Sequence, residues 1–287
     1  MSQGVLLFSQ NTREVDYLKL SVLAAKLAKK NLQVPVSLVT DSATLEWAEE
    51  SDQSSTVQEV FDQVIQIERP RICNNFRYLS DGNNRSRVPF VNDARSRAYD
   101  LTPYERTLLI DSDFLINSPT LREYWNVDSD IMISQSLGDV ADFDRIGYHD
   151  RYVSDTGIHL YWATAVMFSK SPISQHFFNL VEHVKENYVY YADLFRFDYR
   201  TYRNDIAFSI AKHIVDGYKT DLLGSLPPTL STFDKDVLID VKDRNLIFLI
   251  NAMNNSNFYA AAIKDRDIHV MNKQSIVRNY DKLMELA

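Results

Sequence analysis

One stretch constrains this chain more than any other: Thr107-Leu108-Leu109-Ile110-Asp111-Ser112-Asp113-Phe114-Leu115-Ile116. An unbroken apolar run of this length fits a strand buried on both faces, as in parallel α/β sheets. Two carboxylates follow at once, and apolar residues resume behind them. Asp-x-Asp alone says little, because the chain holds it five times, at 111–113, 128–130, 142–144, 234–236 and 265–267. Only the first directly ends a buried strand, and ligands of open α/β sheets gather at the carboxyl ends of strands. Two carboxylates one residue apart in such a place repel each other and need a compensating charge. A divalent cation, Mn²⁺ or Mg²⁺, is the usual one, since hard oxygen ligands suit hard cations, and it would in turn neutralise a diphosphate. The competing reading is an N-cap and turn pair leading into a short helix at Ser118-Pro119.

Around that strand, β-type runs alternate with helical patterns. Residues 5–8 and 36–39 are further apolar runs, and 63–67 is a weaker one. Tyr17, Leu20, Ala24 and Leu27 recur at three and four and end in Lys29-Lys30, which predicts a helix. Segment 69–92, rich in Asn, Arg, Ser and Pro and without a period, predicts a long loop, and 92–101 a short helix. This β-α-β-α order predicts an α/β fold with a Rossmann-like, mixed and mostly parallel central sheet flanked by helices. The second half predicts a strand at 162–168 and a helix capped by Ser171-Pro172, with Ile173, Phe177, Leu180, Val181 and Val184 on its apolar face. An aromatic stretch follows at 188–202, then a helix from Asn204-Asp205 with Ile206, Ile210 and Ile214 inward. Short strands at 237–241, 246–250, 257–263 and 268–271 and a helix at 273–286 complete the chain. No Gly/Ser linker separates the halves, so the 287 residues read as one domain, with a nucleotide-type half over 1–118 and an acceptor-type half over 119–287.

Composition narrows the class. With 45% hydrophobic and 24% charged residues, disorder and coiled coils are excluded. No run approaches the roughly 18 apolar residues of a membrane span. MSQGVLLFSQ lacks the basic n-region of a signal peptide. A single cysteine, Cys73, excludes a disulfide framework and a thiolate metal site. These features predict a soluble, cytoplasmic protein. The net charge of −8 argues against indiscriminate coating of nucleic acid, yet the charge is unevenly spread. Residues 69–106 hold eight arginines (69, 71, 77, 85, 87, 95, 97, 106), no lysine and four acids, whereas 137–157 hold five aspartates and two arginines. This pattern suits an anionic substrate held through a cation. No GxGxxG or Walker lysine loop is present, so phosphates would be met by metal and by basic side chains, which the arginine-rich stretch supplies.

Together with GVLLFSQNTREVDYL at the start, VPVSLVTD (34–41), VNDARSRAYDLTPYERTLLIDSDFLI (91–116), YWATAVMFSKS (161–171), YRNDIAFSIAKHI (202–214) and IHVMNKQSI (268–276), the Asp-x-Asp block resembles the GT-A glycosyltransferases. The likeness is in particular to the small proteins of this kind found in T4-like phages. It implies that Asp111 and Asp113 bind the metal and, with Ser112, the sugar nucleotide. His269 would complete the metal shell and Lys273 meet the diphosphate. Ser9, Gln10 and Asn11, with Tyr17 and Asp41, would hold base and ribose. Asn92 and Arg95 fall where such enzymes reach the donor phosphate or sugar, and Asp205 where they keep an acceptor- or sugar-binding acid. The arginines of 69–92 match nothing in the family pattern. Each residue also has a plainer reading: His269 a strand histidine, Lys273 a helix start, Asp205 an N-cap or first-turn acid, Tyr17 core. Trp125 and Trp162 read as packing. His149, His159, His176, His183 and His213 lack paired ligand spacing and read as structural.

The implied reaction moves a hexosyl or pentosyl unit from a nucleoside-diphosphate sugar to a hydroxyl, with Arg95 and Lys273 as electrostatic support. An inverting route would draw its base from Asp205 or an acid of 139–155, and a retaining route could do without one. Seven aromatics over 188–203, with Arg196, Arg200 and Arg203, suit base stacking and phosphate binding, but also sugar stacking or core packing. With the phage likeness they favour DNA modification at a hydroxylated pyrimidine flipped into the pocket. The alternatives are a glycan or lipid-linked acceptor, a nucleotidyltransferase, which would want a glycine-rich loop where 8–13 has none, and a non-catalytic sugar-nucleotide binder.

Overall fold

A computed structural model of the chain describes residues 2–69, 75–81, 84–141, 145–147, 150–155, 157–198, 201–218, 223–251 and 257–287. Arg71, Cys73, Asp142, Asp144, His149, Tyr199 and Arg200 lie outside them.

Alternation along two apolar runs sets the layering. Leu6, Phe8 and Leu109 bury on one face of the sheet, and Val5, Leu7, Leu108 and Ile110 on the other. A strand apolar on both sides must be covered on both sides. Helix Tyr17–Leu32 covers one face through Leu18, Val22, Ala25 and Ala28. Its start is fixed by Asp16, which accepts the Lys19 amide at 2.9 Å, and Lys29 and Lys30 sit at its carboxyl end. Helices Pro172–Glu186 and Asn204–Val215 cover the other face with Phe177, Phe178, Val181, Phe208 and Ile210.

The seven-stranded sheet runs, edge to edge, Gly224–Ser225, Ile131–Ser134, Trp162–Ser169, Arg106–Ile110, Gln3–Phe8, Val36–Asp41 and Gln63–Ile67. All pairs are parallel except the two made by Trp162–Ser169. This is the mixed, mostly parallel sheet flanked by helices that the sequence predicts. Leu7 pairs with Ile110 and Phe8 with Val39, so residues 9–11, Asp41 and Asp111 emerge at one edge. Glycine is required at position 4, where a Cβ would stand 2.3 Å from the Tyr104 ring, itself anchored by a 2.6 Å bond between its hydroxyl and Ser37 Oγ.

Several elements differ from expectation. The predicted loop 69–92 contains a hairpin, Phe76–Asp81 with Asn84–Pro89. Its strands are mostly polar because the ribbon forms a two-stranded sheet of its own, outside the layers of the main sheet. The aromatic stretch contains helix Tyr188–Phe195, whose Tyr188, Tyr191, Ala192 and Phe195 pack inward at helical spacing. The terminal helix breaks at Asn279 into Lys273–Arg278 and Tyr280–Met284, because Asn279 Nδ2 bonds the Leu238 carbonyl at 2.8 Å. Strands of two to four residues, Phe114–Leu115, Ile131–Ser134, Leu137–Asp139, Gly224–Ser225 and Thr229–Ser231, were too short to read from periodicity. Among the described residues no helix is long and apolar enough to cross a membrane.

The helix expected at Ser118-Pro119 is a 3₁₀ segment, Thr120–Asn126, without a side-chain cap. The Ser118 amide instead bonds Asp267 Oδ1 at 2.8 Å. Burial pushes the Asp267 carboxyl up to about 6, although bonds from Ser118 and Asn117 pull the other way. The folded chain therefore holds this proton more tightly than the unfolded one. Stability falls as pH rises from the ordinary carboxylate value through about 6, and the penalty persists above it. Asp267→Asn should be more stable than the parent at pH 7.5 by about 1–3 kcal/mol, a gap closing towards pH 4. Urea unfolding at both pH values checks this, and a pH-independent gap would contradict it.

Candidate metal and donor site

The strand Arg106–Ile110 hands over to Asp111, whose amide donates to the Thr164 carbonyl at 2.9 Å, and a turn closes when the Phe114 amide bonds the Asp111 carbonyl at 3.1 Å. Phe114 and Leu115 then pair antiparallel with His269 and Ile268. The Asp113 carbonyl accepts the Val270 amide at 3.0 Å. The apolar residues behind the aspartates thus form the short strand that carries His269 to them. Three residues on, Asn272 caps helix Lys273–Arg278 by accepting the Ser275 amide, and this sets Lys273 at the same spot.

Ligand atoms of Asp111, Asp113 and His269 all lie within 4.8 Å of one another. His269 Nε2 stands 3.4 Å from Asp113 Oδ1, while its Nδ1 is 3.3 Å from Thr164 Oγ1, which turns Nε2 towards the aspartates. Lys273 Nζ bonds Asp113 Oδ2. Arg95, 1% exposed, donates to Asp111 Oδ1 at 2.8 Å and to the Ala163 carbonyl at 2.6 Å. Neither carboxylate caps a helix; among the described residues their partners are Arg95, Lys273 and His269. Two carboxylates and an imidazole within this span fit one hard or borderline divalent cation.

The two acids are electrostatically unlike. Burial raises the Asp111 carboxyl against the pull of Arg95, and the charge of Asp113 adds to the rise. Burial would raise Asp113 as well, but Lys273 and His269 outweigh it and hold Asp113 well below the usual carboxylate range. Asp111 keeps 24% of its side chain open to the cleft, where a ligand can reach it.

A cleft of about 610 Å³ opens over this cluster, a size suited to a nucleotide-sized molecule. It brings together Gln10, Tyr17, Asn92, Arg95, Asp111, Ser112, Asp113, Asp205, His269 and Lys273 from the sequence-derived set. Ser9, Asn11 and Asp41 stand outside its lining. Asn11 accepts the Leu18 amide and donates to Asp16, and Asp41 caps helix Ser42–Glu50 and pairs with Arg69 at 2.5 Å. Asp205 lies in the first turn of its helix, bonded to Arg203 and to the Ile206 amide.

The sequence did not single out Arg77, Phe90, Thr164, Tyr202 or Asn204 for the cleft, and it read Trp162 as packing. Buried atoms of several lining residues have no protein partner: both amide atoms of Gln10, Asn92 Oδ1, Trp162 Nε1, Tyr202 Oη, Asn204 Oδ1 and the Nε of Arg77 and Arg95. Buried polar atoms are seldom left so, and in a cleft such atoms can be met by solvent or by a polar ligand.

Other expectations resolve around the cleft. Asp139 is locked with Asp236 in a buried clamp around Arg145, Asp150 lines the cleft, and Asp155 is exposed. Of the seven aromatics, Tyr188, Tyr191 and Phe195 are core, Phe197 and Tyr202 pack against them, and Tyr190 is exposed. The row of stacking platforms that favoured nucleic acid is therefore largely interior. Arg106 is likewise internal, bonding the carbonyls of Tyr124, Val127 and Ser129.

No family model matches the sequence, and no curated protein matches it. Solved structures that align with the chain include the glycosyltransferase GlyE of Streptococcus pneumoniae TIGR4, at 13% identity over 79% of this chain and 45% of that one, with a TM-score of 0.43. The galactosyltransferase LgtC, in complex with donor and acceptor sugar analogues, aligns at 13% identity over 72% and 70%, with a TM-score of 0.43. TarS of S. aureus aligns at 16% identity over 81% and 37%, with a TM-score of 0.40. The chain thus spans less than half the length of GlyE and of TarS.

Proposed function

We propose that this chain is a metal-dependent glycosyltransferase of the GT-A type, moving a sugar from a nucleoside-diphosphate donor to an acceptor hydroxyl. The observation that carries the reading is the Asp111–Asp113–His269 cluster at a parallel-strand end, flanked by Lys273 and Arg95 and opening into a cleft of nucleotide size. Asp111, Asp113 and His269 would hold a Mn²⁺ or Mg²⁺ ion, which would supply Lewis acidity to the leaving diphosphate. Arg95 fixes the Asp111 carboxylate, and Lys273 offers a positive charge beside the couple. The unpartnered Gln10 amide and the Tyr17 ring face the base. Asn11 and Asp41 support that wall through Arg69, which bonds both. On the far wall, Asn92, Asn204 and Asp205 orient sugar or acceptor hydroxyls.

For the acceptor, a hydroxylated pyrimidine in DNA is the finer part of the proposal. The phage likeness of the sequence supports it, as do two stacks on the hairpin, Arg85 over the exposed Tyr78 at 4.0 Å and Arg87 over the half-buried Phe76 at 3.9 Å. Donor hydrolysis tests the core of the reading. With Mn²⁺, one of a panel of UDP-, GDP- and CDP-sugars should release nucleoside diphosphate, and chelation should stop it. Turnover that instead consumes a nucleoside triphosphate and releases pyrophosphate would mark a nucleotidyltransferase. Absence of any metal-dependent binding or turnover across the panel would end the enzymatic reading. A gel shift on modified against plain duplex at graded salt tests the acceptor, and no shift below physiological salt moves it to a glycan or lipid-linked sugar.

A further inference from the structure

Four arginines line the cleft, and three of them are committed: Arg95 to Asp111, Arg145 to Asp139 and Asp236, and Arg203 to Asp205. Lys273 is committed to Asp113. Arg77, on the hairpin strand Phe76–Asp81, forms no ion pair or hydrogen bond among the described residues. Its guanidinium lies between two rings, 5.2 Å from the Tyr17 centroid and 5.4 Å from that of Phe90, and its Nε is buried without a partner. Burial weakens its hold on its proton, while the charges of Asp113, Asp111 and Asp234 strengthen it, so the aspartate couple is near enough to act on it without bonding it.

A sheltered guanidinium costs desolvation that ring faces offset only in part. Its planar fork matches a carboxylate or a phosphate, and no carboxylate of the described residues takes it. The hairpin that presents it is tied at both ends. Asp81 accepts two bonds from Arg278, at 2.6 and 2.7 Å, and one from Asn272, on the element that carries Lys273. Asn75 Oδ1 accepts the Tyr202 amide at 2.9 Å, on the opposite wall. The Asp81 bonds tie the strand that carries Arg77 to the element that carries Lys273.

We infer that Arg77 is a phosphate-binding residue, which grips the non-bridging oxygens of the donor diphosphate near the Asp111–Asp113 couple. This rests on the donor reading above and adds to it which arginine of the basic 69–106 stretch meets the phosphate. Asp81 acts as its positioning residue through Arg278 and Asn272.

Calorimetric titration tests the assignment with inorganic pyrophosphate and with UDP, GDP and CDP, each in the presence of Mn²⁺, and with Mn²⁺ alone. Arg77→Met keeps an apolar stem between the rings and removes the charge. It should weaken pyrophosphate and nucleoside-diphosphate binding about 10- to 100-fold and cause no loss of affinity for Mn²⁺ alone. Arg77→Lys, which keeps a charge but not the fork, should fall between. Should the Met variant fail to fold by circular dichroism, the Lys variant decides, with a loss of several-fold expected. Wild-type protein that binds the diphosphates while the folded variants bind them equally well overturns the role of Arg77 and leaves the donor reading intact. Wild-type protein that binds none of these probes with metal overturns the donor reading itself.

Discussion

Asp113→Asn should abolish metal-dependent turnover, by about 10³-fold or more, and do so through loss of metal rather than loss of fold. The Asp113 carboxylate meets Lys273 through one oxygen and His269 through the other. Its low proton affinity keeps it ionised at every pH where the fold is useful, so it is the permanent charge of the couple. Asparagine keeps the shape and removes that charge. A cation site that loses one of two carboxylates loses several kcal/mol of the leaving-group stabilisation a metal provides, which is the stated factor in rate. Stability changes too, since Lys273, 7% exposed, then faces a neutral amide. Removing one partner of a buried pair costs about 3–5 kcal/mol, and an amide that still accepts a bond should bring the loss to the lower end. The double variant Asp113→Asn/Lys273→Met separates the two effects, because it should recover most of the stability and none of the turnover. Chelation should silence the parent and change nothing further in the variant. Turnover at the parental rate in Asp113→Asn would remove the metal from the mechanism.

What the sequence made legible follows from how strongly each element is constrained by its own residues. The strand at 106–110 is buried on both faces, so Leu108, Leu109 and Ile110 follow one another without a polar break and the run declares itself, while the buried Arg106 and Thr107 before them are met by hydrogen bonds. Helix Tyr17–Leu32 buries one stripe, and its period declares it. The hairpin has no such signature. Its arginines stack on Phe76, Tyr78, Tyr17 and Phe90, an arrangement of charge over ring that no apolar alternation reports. Helix Tyr188–Phe195 was hidden for the opposite reason: Val189, Tyr190 and Leu194 are apolar yet point outward, Tyr190 being 63% exposed, so its two faces look alike in sequence. At the site, the Asp-x-Asp couple was legible because its strand was. The residues after the first strand were not separable, because Gln10 turns into the cleft while Ser9 and Asn11 turn away. Tyr202 and Asn204 reach the cleft from a distant segment, and only the packing of the last-described helices against the sheet brings them there.

Arg95→Met should have the second largest effect, and it distinguishes two arginines that the sequence placed in one basic stretch. Arg95 sits on the 3₁₀ turn Ala94–Arg97 and is enclosed, with one nitrogen on Asp111 and another on the Ala163 carbonyl. It ties the strand end that carries Asp111 to the neighbouring strand Trp162–Ser169, which also carries Thr164, the partner of His269. Methionine fills the volume but leaves the Asp111 carboxylate without its ion-pair partner, with only the more distant charges of His269 and Lys273, and the Ala163 carbonyl without its donor. An uncompensated charge of this kind costs about 3–5 kcal/mol of folding stability. Because the guanidinium also aims the carboxylate, affinity for Mn²⁺ alone should fall about 10- to 100-fold, the usual cost of losing a partner that orients a metal ligand. Arg95→Lys keeps the charge and cannot make both bonds, so it should recover part of the stability and less of the metal affinity. Arg77→Met, in contrast, should cost no affinity for Mn²⁺ and weaken only the diphosphate. Calorimetry with Mn²⁺ and then with pyrophosphate on the two methionine variants reads both at once. If Arg95→Met bound Mn²⁺ as the parent does, Asp111 would not need its clamp, and the couple would have to be held in place by Asp113, His269 and Lys273 alone.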